Sequence, residues 1–169
     1  MSEQSTYSES SNSILDPVRK VEKSYSVIVQ FCNLNGSSVS VLAEKDSTPQ
    51  TAYSEWKENG FYEDVKQGEQ LPFSLPSLQL IPYKGFPRSV VCNLLAEAGS
   101  GVNGRAPLRY HAVARGLHNL YLRLAEARDA GTAVEVHIPS TEQNRQVLQV
   151  LVAELAEDSK IPTTLYVGD

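Results

Sequence analysis

Two cysteines, one methionine and one tryptophan are spread over 169 residues, and the first of these scarcities closes off whole classes of protein. Cys32 and Cys92 each lie inside an apolar, strand-like run, without the close pairing that a zinc site uses. They read as buried structural thiols, because cysteine packs as a small hydrophobe. No run of ~18 apolar residues occurs, so no segment is expected to span a membrane. The opening MSEQSTYSESSNS lacks the basic-then-apolar order of a signal peptide. Together these features predict a soluble, non-secreted protein of the cytoplasm or another reducing compartment. A basic excess is missing as well: 15 Lys and Arg face 20 Asp and Glu, a net charge of −5. The arginines at 105, 109, 115, 123 and 128 are interleaved with Glu126 and Asp129, as on a solvated helix face. Nucleic acid is therefore not an expected partner.

The chain does contain one strongly patterned unit, residues 88–139. Ser89 to Ala96 is an apolar run of strand length, of the kind a sheet covered on both faces requires. A glycine-bearing loop follows, and Pro107 sits where the first turn of a helix tolerates it. Leu108, Ala112, Val113, Leu117, Leu120, Leu124 and Ala127 form one helical stripe, closed by Gly131, and Ala133 to Ile138 returns as a strand. Strand, helix and strand of this length make a right-handed crossover with parallel strands.

Around that unit, residues 1–13 are serine-rich and read as a flexible tail, and 14–169 as a single domain. Strands are expected over Ser24–Phe31, Leu78–Tyr83 and Ile161–Val167. A helix is expected from Thr48-Pro49 to Gly60, with Tyr53 and Trp56 packed together inside, and 60–76 reads as an irregular connection. Residues 37–43 fit either a strand or a helix. Ser140 or Thr141 can cap a last helix with the stripe Val147, Leu148, Leu151, Val152 and Leu155. The alternation predicts an α/β fold, a three-layer α/β/α sandwich on a mixed, largely parallel sheet.

Chemistry-bearing motifs are few. Gly99, Gly101 and Gly104 match G-x-G-x-x-G, but no acidic residue ends the next strand, and a ligand-free glycine connection explains them. His111 and His118 share an outer helix face; His137 ends a strand and reads as a histidine satisfied by backbone. Asn33-x-x-Gly36 leaves the first predicted strand, and successive amides in such a turn can hold an anion or a ribose–phosphate.

Four stretches resemble the macrodomain family, whose fold binds ADP-ribose: VIVQFCNLNG (27–36), VVCNLLAEAG (90–99), PLRYHAVARGLHNLYLRLAEARDAGTAVEVHIP (107–139) and PTTLYV (162–167). The likeness runs from about Asp16 to the C-terminus and is weak over 37–76. The resemblance implies that Asp16 accepts the adenine amino group and that Asn33 contacts the distal ribose. It also implies that the amides around Gly36, Ser37, Ser38, Ser140 and Thr141 hold the diphosphate. Two departures mark a divergent member. The family's glycine-rich first phosphate loop is here Gly36-Ser-Ser-Val-Ser-Val, and its second is replaced by Ser140-Thr-Glu-Gln.

The expectation is a binding module for ADP-ribose or an ADP-ribosylated protein, with no required cofactor, no metal and no catalytic residue. The alternative is a degenerate scaffold acting through protein contacts, as a homo-oligomer or a subunit of an assembly. It is motivated by the shortened loops and the aromatic stretch Tyr53, Trp56, Phe61 and Tyr62. An ADP-ribosyl hydrolase would need an acid–base group on these loops, and none is identifiable in the sequence.

Overall fold

A computed structural model describes residues 6–11, 14, 24–33, 46–64, 69–83, 88–97 and 109–167. The elements are β1 (Tyr7–Ser10), β2 (Tyr25–Asn33), α1 (Thr48–Asn59), β3 (Phe61–Asp64), β4 (Glu69–Pro72), β5 (Ser77–Pro82), β6 (Ser89–Glu97), α2 (Tyr110–Asp129), β7 (Val134–Pro139), α3 (Arg145–Ser159) and β8 (Thr163–Tyr166). Six strands form one sheet in the order β1-β8-β7-β2-β6-β5, parallel throughout except for the β5–β6 pair. The class is α/β with a mixed, mostly parallel sheet, as the strand–helix alternation predicts.

The two strands and the helix of the central unit form as expected, its loop and Pro107 lying outside the described residues, with one topological detail that spacing does not reveal. β6 and β7 are parallel but not adjacent, because β2 lies between them and pairs with both. Alternation along the strands then separates two cores. Val27, Val29, Cys92, Leu94, Val136, Ile138 and Leu165 face α2 and α3, which contribute Leu117, Leu120, Leu148 and Val152. The opposite face carries Cys32 and Leu95 against Tyr53 and Trp56 of α1. Phe73 closes that smaller core, edge-on to Trp56 with ring centroids 5.4 Å apart. Neither cysteine is in a disulfide and both are fully buried; burial pushes the Cys92 thiol up to about 12. Gly116 lets α2 pack close on Leu94 of the sheet, since a Cβ there would meet Leu94 Cδ1 at 3.0 Å.

Three expectations are corrected. Residues 7–10, inside the expected flexible tail, form an edge strand parallel to β8. The ladder is extended by Thr163 N–H to Thr6 O (2.7 Å), and Tyr7 packs on the larger core. The backbone supplies the pairing there, so a serine-rich sequence suffices. Within the expected irregular connection, β3 and β4 pair as an antiparallel two-stranded sheet apart from the main one. Val147, expected in the core stripe of α3, is 40% exposed. Smaller shifts occur at helix ends. Asp46, one residue before the N-cap Ser47, holds the start of α1, its Oδ1 accepting from Thr48 N–H (3.0 Å) and Oγ1–H (2.7 Å), and the helix stops at Gly60 with φ 80°.

Candidate functional site

Because β2, β6, β7 and β8 run in the same direction, their carboxyl ends lie along one rim of the sheet. Asn33, Glu97, Pro139 and Tyr166 are the last residues of those strands. From β2 the chain proceeds to α1 on one face and to β5 and β6 on one side. From β7 it proceeds to α3 on the other face and to β8 on the other side. Divergence of this kind opens a crevice between neighbouring strand ends, the position at which open α/β sheets bind ligands. Here that divergence occurs between β2 and β7.

On the β2 side, the ladder to β6 shifts register between Cys32 and Asn33, so that Asn33 pairs with Glu97. Such a bulge re-aims the chain at its exit. Gly36, Ser37 and Ser38 lie outside the described residues, as do Asp16, the ambiguous segment 37–43 and the Gly99–Gly104 motif.

On the β7 side the geometry is explicit. Ser140 donates twice to the Tyr166 carbonyl, from its N–H (3.1 Å) and its hydroxyl (2.7 Å). The exposed Thr141 donates its N–H to Asn144 Oδ1 (2.8 Å), and Asn144 N–H returns to Thr141 Oγ1 (3.4 Å). This reciprocal pair closes the turn that leads into α3. The amides of Ser140 and Thr141, expected to meet a diphosphate, thus have acceptors inside the chain.

Sequence reasoning missed Arg145, the first residue of α3. Its Nε is buried with no acceptor among the described residues, and no acidic residue occupies the first turn of the helix. A guanidinium at the positive end of a helix dipole is electrostatically misplaced unless an anion joins it. The free N–H groups of that first turn point the same way. Glu142, exposed in the preceding turn, is the acidic side chain nearest in sequence.

Two buried polar clusters line the sheet face opposite α2 and α3. His137 is held by side chains rather than backbone: Nδ1 lies 2.8 Å from the Tyr166 hydroxyl and Nε2 3.1 Å from Glu135 Oε1. Glu135 Oε1 also accepts from Ser26 Oγ–H (3.0 Å). The second cluster is a relay of amides. Gln79 Nε2–H donates to Ala52 O, Asn93 Nδ2–H to Gln79 Oε1 and Pro49 O, and Gln30 Nε2–H to Asn93 Oδ1. It ends on Gln30 Oε1, a buried acceptor with no donor among the described residues, and Gln50 Oε1 is another. Those residues contain no group of three His, Cys, Asp or Glu able to hold a metal, and no helix long and apolar enough to cross a membrane.

No family model matches the sequence, and no curated protein matches it. Among solved structures it is similar to a crystal structure of a Bacteroides thetaiotaomicron protein, a structural-genomics target. The two share 20% identity at a TM-score of 0.67 over 95% of this chain and 97% of that one. At that identity the likeness concerns the fold.

Proposed function

We propose that the protein binds ADP-ribose, or a related nucleoside diphosphate, in the crevice between the ends of β2 and β7, and that it does so without robust catalysis. The observation that carries this reading is Arg145, whose buried Nε–H has no acceptor at the first position of α3 among the described residues. A diphosphate supplies what is missing. Its oxygens accept from the guanidinium, in the paired geometry that suits arginine, and from the unpaired N–H groups of the helix start. With the Ser140, Thr141 and Asn144 amides engaged by Tyr166, Asn144 and Thr141, the phosphate contacts fall on the other amides between Glu142 and Gln146. The macrodomain resemblance supplies the remainder: Asn33 for the distal ribose and Asp16 for the adenine amino group. Gln30 Oε1, on β2 three residues before Asn33, is a buried acceptor complementary to a ribose hydroxyl or an amino group.

Isothermal calorimetry with ADP-ribose tests the proposal. Wild-type protein releases or absorbs heat with a saturable isotherm, and Arg145→Ala weakens binding about 10-fold or more, the scale of one lost charge-assisted contact. Absence of heat at millimolar ADP-ribose would remove the reading. A second reading, the fold as a scaffold for protein contacts, is favoured by an exposed apolar groove on the far side of α2 and α3.

A further inference from the structure

Six large apolar side chains are exposed among the described residues, and four of them stand on one face of the molecule: Tyr110 and Leu122 on α2, Val147 and Val150 on α3. Val150 is 64% exposed and Leu122 54%. Tyr110, Val147 and Val150, with Ala114 and Leu151, line a shallow groove of about 460 Å³ between the two helices. Leu148 and Val152 point instead into the sheet core, so α3 is apolar on two sides, toward the sheet and away from it. A surface helix with a single buried face does not need the second one. A cluster of this kind marks an interaction surface.

Charge on the same face identifies the occupant. The outer positions of the first half of α2 are His111, Arg115 and His118, whereas those of the second half of α3 are Glu154, Glu157 and Asp158. Arg115 and Glu154 make no ion pair among the described residues, although Glu154 lines the groove beside Ala114. The two helices therefore carry opposite signs side by side, with an apolar seam between them. A two-fold axis running along that seam places α2 of one molecule over α3 of another, and the reverse contact follows by symmetry. Each arginine then meets a glutamate and the apolar strips meet each other.

We infer that the α2–α3 face is an isologous interface through which two copies of this chain associate, Val150 and Tyr110 forming its apolar centre and Arg115 pairing with Glu154 of the second copy. The complementarity lies wholly within one chain's own surface, so no foreign partner is required. The inference does not rest on nucleotide binding, although the groove and the proposed phosphate contacts meet at Gln146.

Sedimentation velocity of the full chain across a concentration series tests it. The wild type shifts toward twice the chain mass as concentration rises, and Val150→Asp, at an exposed position where folding is not at stake, sediments as a monomer. Arg115→Glu and Glu154→Arg each weaken association about 10-fold, and the double variant recovers it, which a general effect on solubility would not do. A wild type that stays monomeric throughout overturns the inference. So does a dimer indifferent to Val150→Asp, or a charge-swapped pair that fails to recover.

Discussion

Nδ1 of His137 and the hydroxyl of Tyr166 are 2.8 Å apart, joining β7 to the neighbouring β8 beneath the rim of the sheet. With Glu135 Oε1 at 3.1 Å from Nε2, the ring has a partner on each side. Of the two neutral tautomers, the one that carries its proton on Nε2 donates to the carboxylate and leaves Nδ1 to accept from Tyr166. The residue is 5% exposed, so neither partner can be replaced easily by bulk water.

Replacing that ring should be costly. His137→Ala is expected to lower stability by about 2–4 kcal/mol in urea unfolding, because it opens a cavity and strands Glu135 and Tyr166. Tyr166→Phe should cost about 1 kcal/mol, and the double variant less than the two added together. Strict additivity would show that the contact contributes nothing.

Asn93 is the junction of the amide relay, contacting Gln30, Gln79 and the Pro49 carbonyl while being fully buried. Asn93→Leu should destabilise by about 3 kcal/mol or more, since three polar groups lose a partner at once. Far-ultraviolet circular dichroism against urea measures this. A loss below ~1 kcal/mol would mean that the relay is not a determinant of the fold.

Legibility in the sequence varies by element. The strand–helix–strand unit is readable because its apolar residues repeat with the periods of a buried strand and an amphipathic helix. Tyr7–Ser10 is not, because an edge strand held by backbone pairing needs no apolar pattern. β3 and β4 form a separate small sheet, so no run of core residues announces them. Glu135 and His137 can be paired from sequence as same-face neighbours two apart. Tyr166 and Ser26 join them only through strand register, which spacing does not encode. Arg145 does leave a signal: a Thr141-x-x-Asn144 turn followed by a basic residue, in a helix start without acid.

Alkaline stability carries a defined sign. Burial raises Cys92 from 9.0 to about 12, with nearby Arg123 opposing, and burial followed by the Asp46 charge raises Tyr83 from 10.0 to about 12. Both groups are neutral when protonated, and the folded state holds those protons more tightly than the unfolded one. Their contribution is complete below pH 9 and is lost as pH rises from there toward 12. Urea midpoints should be flat near neutrality and fall above pH 9, by at most about 1.4 kcal/mol per pH unit for Cys92. Tyr83 adds its share only above pH 10, because its ordinary value is higher. In Cys92→Ala the fall should begin about one pH unit later. An unchanged curve would contradict this.

Glu142 stands beside the helix start at which the diphosphate is proposed to bind, with a charge of the wrong sign. Glu142→Gln should tighten ADP-ribose binding by a few-fold, in line with about 0.3–1 kcal/mol for a charge near a helix terminus. Calorimetry at low and high salt checks it, the gain shrinking as salt rises. Weaker binding in the variant would place the ligand elsewhere.

The most direct test maps the ligand onto the backbone. In a titration of isotopically labelled protein with ADP-ribose, followed by amide chemical shifts, the largest changes should fall on Asn33 and on Glu142 to Gln146, with the Arg145 side-chain Nε–H moving strongly. Changes confined to other surfaces, or none at millimolar ligand, would contradict a nucleotide site between β2 and β7.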